Sequence, residues 1–549
     1  MQAFARRFTA NRPRTNPSPW LVLALVSLPV FIGALDLTIV SAILPEVIVE
    51  LQIPLESGLD DVAWVVSGYL LAYTISMTFM GRVSDLIGRR SVYLICLGIF
   101  IIGSIWVAGA DGLPADAIMS LARRMGQRPD PTAVALLSLI IGRIVQAFGG
   151  GALVPISMAL VGDLFPPHRR AQPLGLIGAV DMAGWVVGHL YGGIMVQFVD
   201  WRTLFWLNVP VGLLALALTW WVLRGVRQPR AAGGFDFVGA LLLGLTLAAI
   251  SIGLGANTEV TADMTTFEEL STLPPYTGPL LLVAALAFAL FLLVERRSSN
   301  PLIDLALFRR RNFTAGNLTS LIVGFALMIG LVSVPILINI RAEDVSQLTG
   351  AALSVGLVMS ALTIPMGLAA VPGGWLSDRY GHRLPTAVGL VLAAIGFVLA
   401  GLRWFETVSY GEMALHMIMV GVGLGLTTSP TSAAVLNAAP DDRRGIAAAI
   451  DDMLRLLGMT LAASSLTTIA LRRVSVLAVD RIGETVAMTQ EAINIYVSIT
   501  AQVIRELALL GALLCILALL PAWMLRGGRA KDFQAEYEQA QHAARPAGD

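Results

Sequence analysis

Long apolar runs alternate with short polar links along the whole chain. A helical run of roughly 18–25 residues spans about 30 Å of hydrocarbon, so each run is long enough to cross a bilayer. About fourteen occur, over 20–44, 62–80, 92–110, 134–158, 173–197, 203–223, 237–255, 278–294, 315–338, 351–371, 385–403, 412–432, 446–471 and 503–525. The run 278–294 carries no polar side chain, and 237–255 is almost as plain. A helix apolar on every face packs against lipid and lines no aqueous path, so this central pair is expected at the periphery.

Composition excludes a soluble protein of this length: 56% of the 549 residues are hydrophobic and 13% charged, against about 25% charged in soluble domains. The basic residues orient the chain. Alternate links, counted from the N-terminus, hold about 25 Lys/Arg and the opposite set about 10, which places both termini in the cytoplasm. Arg6, Arg7, Arg12 and Arg14 precede the first run, but no small-residue cleavage site follows it, so it reads as an uncleaved span and not a signal peptide. Cys96 and Cys515 fall within spans, and the five His residues show no metal-ligand spacing. No phosphate-binding loop or nucleophile elbow occurs, so no cofactor, metal, nucleic acid or enzymatic activity is expected.

One polar link occurs twice. Gly81-Arg82-Val83-Ser84-Asp85-Leu86-Ile87-Gly88-Arg89-Arg90 returns as Gly374-Trp375-Leu376-Ser377-Asp378-Arg379-Tyr380-Gly381-His382-Arg383. Such duplication is the mark of a transporter built from two related bundles. The organisation that follows is a cytoplasmic segment 1–19, a six-helix bundle 20–225, a two-helix insertion with linkers 226–312, a second six-helix bundle 313–525 and a cytoplasmic tail 526–549. Outside the spans lie a polar insert at 111–131, an acidic external loop at 256–277, and a mixed link at 472–502 that suggests an amphipathic interfacial helix.

The repeated link resembles the loop signature of the major facilitator superfamily. Leu35-Asp36-Leu37-Thr38 through Pro45, Trp64 through Leu71, Gly142-Arg143 through Gly151, and Asp200-Trp201-Arg202 with Phe205 through Gly212 are similar to motifs of its fourteen-span drug:proton antiporter family. The resemblance covers about residues 20–525 and implies an all-α polytopic fold with two six-helix bundles plus two extra central transmembrane helices. One departure stands out. Where that family has Gly-Pro-x-x-Gly-Gly in its fifth helix, this chain has Gly188-His189-Leu190-Tyr191-Gly192-Gly193, with Asp181 about two turns earlier.

Buried ionisable residues in a membrane are costly and therefore mark candidate sites. Asp36, Arg143, Asp181 and His189 are the candidates for proton coupling, with Arg143 tuning a carboxylate and the bland alternative being fixed structural ties. Gly81, Asp85, Gly88, Arg89, Gly374, Asp378, Gly381 and Arg383 are the candidates for a gating loop; each Asp can accept hydrogen bonds from a neighbouring helix N-terminus or pair with Arg. Gly149, Gly150, Gly151, Gly188, Gly192 and Gly193 are expected to let helices pack closely. Asp451 and Arg455, spaced i, i+4, are expected to form a structural ion pair. Glu412 and His416 are expected at an interface.

The function expected is a secondary active transporter exporting amphipathic or lipophilic small molecules in exchange for protons, multidrug-type, from a bacterial inner membrane. The alternatives are an exporter, flippase or porter for one lipid-like metabolite, and a non-transporting scaffold or sensor using 111–131 to dock a periplasmic partner.

Overall fold

A computed structural model describes residues 17–51, 59–126, 129–195, 198–226, 230–231, 233–255, 276–298, 300–341, 345–482 and 490–527. Sixteen α-helices occupy them, in chain order α1 Pro19–Glu50, α2 Leu59–Ile87, α3 Arg89–Ala108, α4 Leu113–Arg124, α5 Pro131–Gly150, α6 Leu153–Leu164, α7 Ala171–Met195, α8 Trp201–Val222, α9 Phe237–Gly255 and α10 Thr277–Arg297. The second half supplies α11 Arg311–Asn339, α12 Val345–Tyr380, α13 Arg383–Arg403, α14 Tyr410–Ala438, α15 Arg444–Ile482 and α16 Gln490–Met524. Among the described residues eleven spans are long and apolar enough to cross a membrane. The three other expected spans coincide with α7, α9 and α15.

Local chemistry fixes where several helices begin. Asp130, Asp200 and Ser409 each turn a side-chain oxygen onto a backbone N–H of the first turn of α5, α8 and α14. The fourth expected span is one run of Pro131–Leu164 broken into α5 and α6 at Gly151 and Ala152. A Cβ on Gly151 would lie 2.4 Å from the Tyr73 carbonyl oxygen, so this break seats the span against α2. Proline inside α11, α12 and α14 is tolerated because neighbouring helices can satisfy the freed backbone groups.

Glycine contacts join the two halves. A Cβ on Gly374 would lie 2.3 Å from the Ala171 carbonyl oxygen, and one on Gly175 would lie 2.4 Å from that of Ala370, which presses α12 onto α7. On the other seam a Cβ on Gly81 would lie 2.7 Å from the Ala449 Cβ, which presses α2 onto α15. Without a hydrophobic drive between helices in lipid, such small-residue seams supply the van der Waals contact that holds them.

The central pair behaves as its composition requires: only 22% of the apolar stretch of α10 is buried. α9 and α10 nonetheless cover one seam. Leu243, Leu247 and Phe291 share an apolar cluster with Ile446 and Ile450 of α15, and Phe79 of α2 meets Phe235 with ring centroids 4.6 Å apart.

Two expectations outside the spans change. The 111–131 insert contains a helix, α4. Among the described residues the 472–502 link forms no separate helix: α15 runs on to Ile482 and α16 begins at Gln490, and Arg473 and Glu506 pair between them at 3.0 Å. The 256–275 part of the acidic loop and the tail from 528 lie outside the described residues.

Candidate functional site: a latched loop side and buried charges

Each repeated Asp caps a helix of the opposite half. Asp85 of α2 accepts the backbone N–H groups of Gly445 and Ile446, both at 2.9 Å, at the N-terminus of α15. Asp378 of α12 accepts those of Ala171 and Gln172, both at 3.2 Å, at the N-terminus of α7. The first N–H groups of a helix have no partner within it and carry partial positive charge, so an anion from another element is favoured there. Close approach requires Gly81 and Gly374. Gly88 and Gly381 end α2 and α12 with φ of 104° and 89°, a left-handed conformation that disfavours any residue with a Cβ.

The arginines around the two loops differ. Arg89 is fully buried, 3.2 Å from Asp85, and also pairs with Asp163 while donating to the Asp441 carbonyl at 2.9 Å. His382 stands at the matching position of the second loop and bonds the Ser377 hydroxyl at 2.8 Å. Arg383, expected in the gate, instead lies over the Trp523 ring at 3.4 Å. The helix turn after Gly381 points it toward α16, so it anchors the loop within its own half.

A second duplication, weaker in the sequence than the first, completes the latch. Asp163-x-x-Pro166-x-x-Arg169-Arg170 corresponds to Asn437-x-x-Pro440-x-x-Arg443-Arg444. Arg444 reaches across to Asp163 at 3.2 Å, and Arg170 reaches across to Asn437 at 2.7 Å. Burial and the nearby Arg444 push Arg170 down to about 9, so it keeps its charge at neutral pH.

Deeper in the first half, Arg143 and Asp36 meet as an ion pair at 2.7 Å, both essentially without solvent contact. Gln146 donates to Asp36 at 2.8 Å and accepts from Arg143 at 2.6 Å, and Asn208 donates to Asp36 at 3.0 Å. The Tyr69 ring lies 3.9 Å from the Arg143 guanidinium carbon. Ion pairing supported by amide hydrogen bonds is what permits charge in a low-dielectric interior; Arg143 Nε is left without a partner among the described residues. Gln146 and Asn208 went unnoticed in the sequence, although both lie inside the recognised motifs.

The structure separates Asp181 from this pair. It lines a small cavity of ≈ 30 Å³ between the halves, with Arg455, Ser432, Thr428 and Met366; that is room for one or two waters. Asp181 is buried, and its Oδ1 has no hydrogen-bond partner. The side chain of His189 lies outside the described residues.

Arg455 pairs with Asp452, one position closer than expected. Asp451 instead accepts from Ser320 at 2.6 Å and Ser432 at 2.5 Å, because an i, i+3 reach turns Arg455 toward the cavity and leaves Asp451 facing α11 and α14. His416 is buried and bonded to the Trp404 indole at 3.1 Å, while Glu412 pairs with Arg403. Of the expected packing glycines, Gly149 faces the Phe100 amide at 2.3 Å and Gly188 the Thr38 hydroxyl at 2.1 Å from a built Cβ. Gly150 makes only ordinary contacts, Gly192 is buried, and Gly193 falls outside the residues whose surroundings are described.

The sequence profile of the Major Facilitator Superfamily matches residues 26–463 and 318–547. The chain belongs to this superfamily. Solved structures carry the same fold: a double Trp mutant of the proton:xylose symporter XylE, with TM-score 0.58 and 16% identity over 90% of this chain and 95% of that one, and the E. coli fucose:proton symporter FucP, with TM-score 0.52 and 12% identity over 93% and 100%. At that identity they speak for the fold alone. Sequence relatives are nearer. A triacylglyceride transporter of Mycobacterium tuberculosis is 33% identical over 459 residues, 81% of this chain and 82% of its own. One of Mycobacteroides abscessus is 31% identical over 450 residues, 80% of each chain. The chain is thus an integral, multi-pass membrane transporter of this superfamily.

Proposed function

We propose that the protein exports a lipid-like, largely apolar molecule from a bacterial inner membrane by alternating access, in exchange for protons, with both termini cytoplasmic. The relatives' names favour this reading over broad drug efflux, and mycobacterial relatives favour a bacterial membrane. The basic loops favour a cytoplasmic placement of the latch.

The observation that carries the mechanism is reciprocal capping of α15 by Asp85 and of α7 by Asp378. These bonds exist only when the halves meet on the loop side, so breaking them is the cost of opening toward the cytoplasm. The Arg143–Asp36 pair holds Asp36 as an anion in this conformation, and a shift of α5 that withdraws Arg143 would let Asp36 take up a proton. Asp181, facing the cavity between the halves, is assigned to the same pathway.

The test is flux in proteoliposomes under an imposed pH gradient, comparing a labelled long-chain triacylglycerol with a cationic amphipathic dye. Gradient-dependent movement of the lipid, abolished by Asp36→Asn, is expected. Movement of the dye with no movement of the lipid would return the function to drug export.

A further inference from the structure

Asp36 and Asp451 are both fully buried carboxylates, but their partners differ in kind. Asp36 accepts N–H groups of the Arg143 guanidinium and of the Gln146 and Asn208 amides, with the Tyr69 hydroxyl beside it. The Gln146 amide cannot turn over, because its oxygen accepts from Arg143. The Arg143 charge and the two amide donors favour the anion of Asp36. Asp451 has hydroxyl partners only, Ser320 on Oδ1 and Ser432 on Oδ2. A hydroxyl both donates and accepts, so either serine can donate to the anion or accept from the protonated acid by rotating one bond. No cation forms an ion pair with Asp451 among the described residues; Arg455, one turn on, acts on it electrostatically but is engaged by Asp452. Asp181 of α7 and Tyr73 of α2 are the other titratable groups that face this region, both close to Arg455. A buried anion without a direct ion pair is expensive, whereas a neutral acid with two hydroxyl partners is fully satisfied.

We propose that Asp451 is an exchangeable proton-binding site of the C-terminal half, reached from the cavity through the Ser432 hydroxyl. Ser432 touches both: it lines the cavity that holds Asp181 and Arg455, and it bonds Asp451 Oδ2. A cavity hydronium gives its proton to the Ser432 oxygen as that hydroxyl passes its own proton to Asp451, leaving water in the cavity and a neutral acid behind. Asp451 thereby holds a proton in the conformation in which Arg143 pairs with Asp36. This assignment rests on the proton-coupled reading for its use, but not for its test.

The test is infrared difference spectroscopy of the full-length protein in nanodiscs across a pH titration, following the C=O stretch of protonated carboxyl groups. Asp451→Asn is expected to remove one such band, and Asp36→Asn to leave it in place. Ser432→Ala, which keeps the acid and removes one bond, is expected to shift that band and slow its appearance. A band unchanged in Asp451→Asn, or lost in Asp36→Asn, overturns the proposal; if Asp451→Asn does not fold, an unshifted band in Ser432→Ala overturns it. Proton uptake by native proteoliposomes on addition of triacylglycerol is read separately. Band loss in Asp451→Asn with no coupled uptake supports the site and rejects proton-coupled export; coupled uptake with the band unchanged does the reverse.

Discussion

Asp163 and Asn437 occupy matching positions in the two halves, and each receives an arginine from the opposite half, Arg444 and Arg170. The bond geometry is duplicated while the charge is not. One side of the latch is therefore ionic and the other a charged donor on a neutral amide.

Removing the ionic member is expected to weaken the latch more. Asp163→Asn leaves Arg89 and Arg444 buried with less counter-charge and is expected to cost about 3–5 kcal/mol of closed-state stability, against about 1.5–2 kcal/mol for Asn437→Ala. Alkylation of a single cysteine placed at the loop-side seam reads the difference. Equal labelling of the two variants would show that the latch does not depend on charge.

Glycines at the crossing points are predicted to tolerate nothing larger. Gly374→Val and Gly81→Val place side-chain atoms where a Cβ alone is already 2.3 Å from the Ala171 oxygen or 2.7 Å from the Ala449 Cβ. Both variants should fold, hold the loop side open and cut gradient-driven flux at least about tenfold, a change of roughly 1.4 kcal/mol. Normal flux from either variant would remove its seam from the transport cycle.

Splitting the buried pair of the first half should be worse than removing it. Arg143→Ala leaves the Asp36 charge unpaired and is expected to lower stability by about 3–5 kcal/mol, whereas Asp36→Asn with Arg143→Gln restores a neutral hydrogen-bonded set and recovers most of it. Thermal unfolding in detergent compares the variants. A double variant no better than Arg143→Ala would mean that the charge itself is not what the site needs.

Outside the membrane, Asp111 is bonded to Arg202 at 2.6 Å, and that bond holds its carboxyl below the ordinary aspartate range. The folded value lies below the unfolded one, so the stabilisation is complete above the unfolded value and fades as pH falls through the folded one. The thermal midpoint of the native chain should therefore fall more than that of Asp111→Asn between about pH 7 and about pH 3. Parallel pH profiles would show that Asp111 contributes nothing to the outer clasp of Arg202 with Glu50 and Asp200.

Much of this protein was legible in its sequence because lipid leaves the backbone few choices. Apolar runs of the required length must be helices, so α1–α3 and α11–α14 stand where the pattern puts them. The duplicated Gly-x-x-Ser-Asp-x-x-Gly-x-Arg link revealed the internal repeat, and the cost of burying charge singled out Asp36 and Arg143. Two further features are readable in the sequence: the Asp163/Asn437 duplication, and Gln146 and Asn208 within their motifs. Partner choice was not legible. Arg383 stacks on Trp523, and Arg455 takes Asp452 over Asp451, because a side chain's direction depends on helix rotation and on which neighbour arrives, not on spacing alone. Helix identity is decided within one segment by hydrogen bonding; partner identity is decided between segments by how the helices pack, and only the folded chain fixes that.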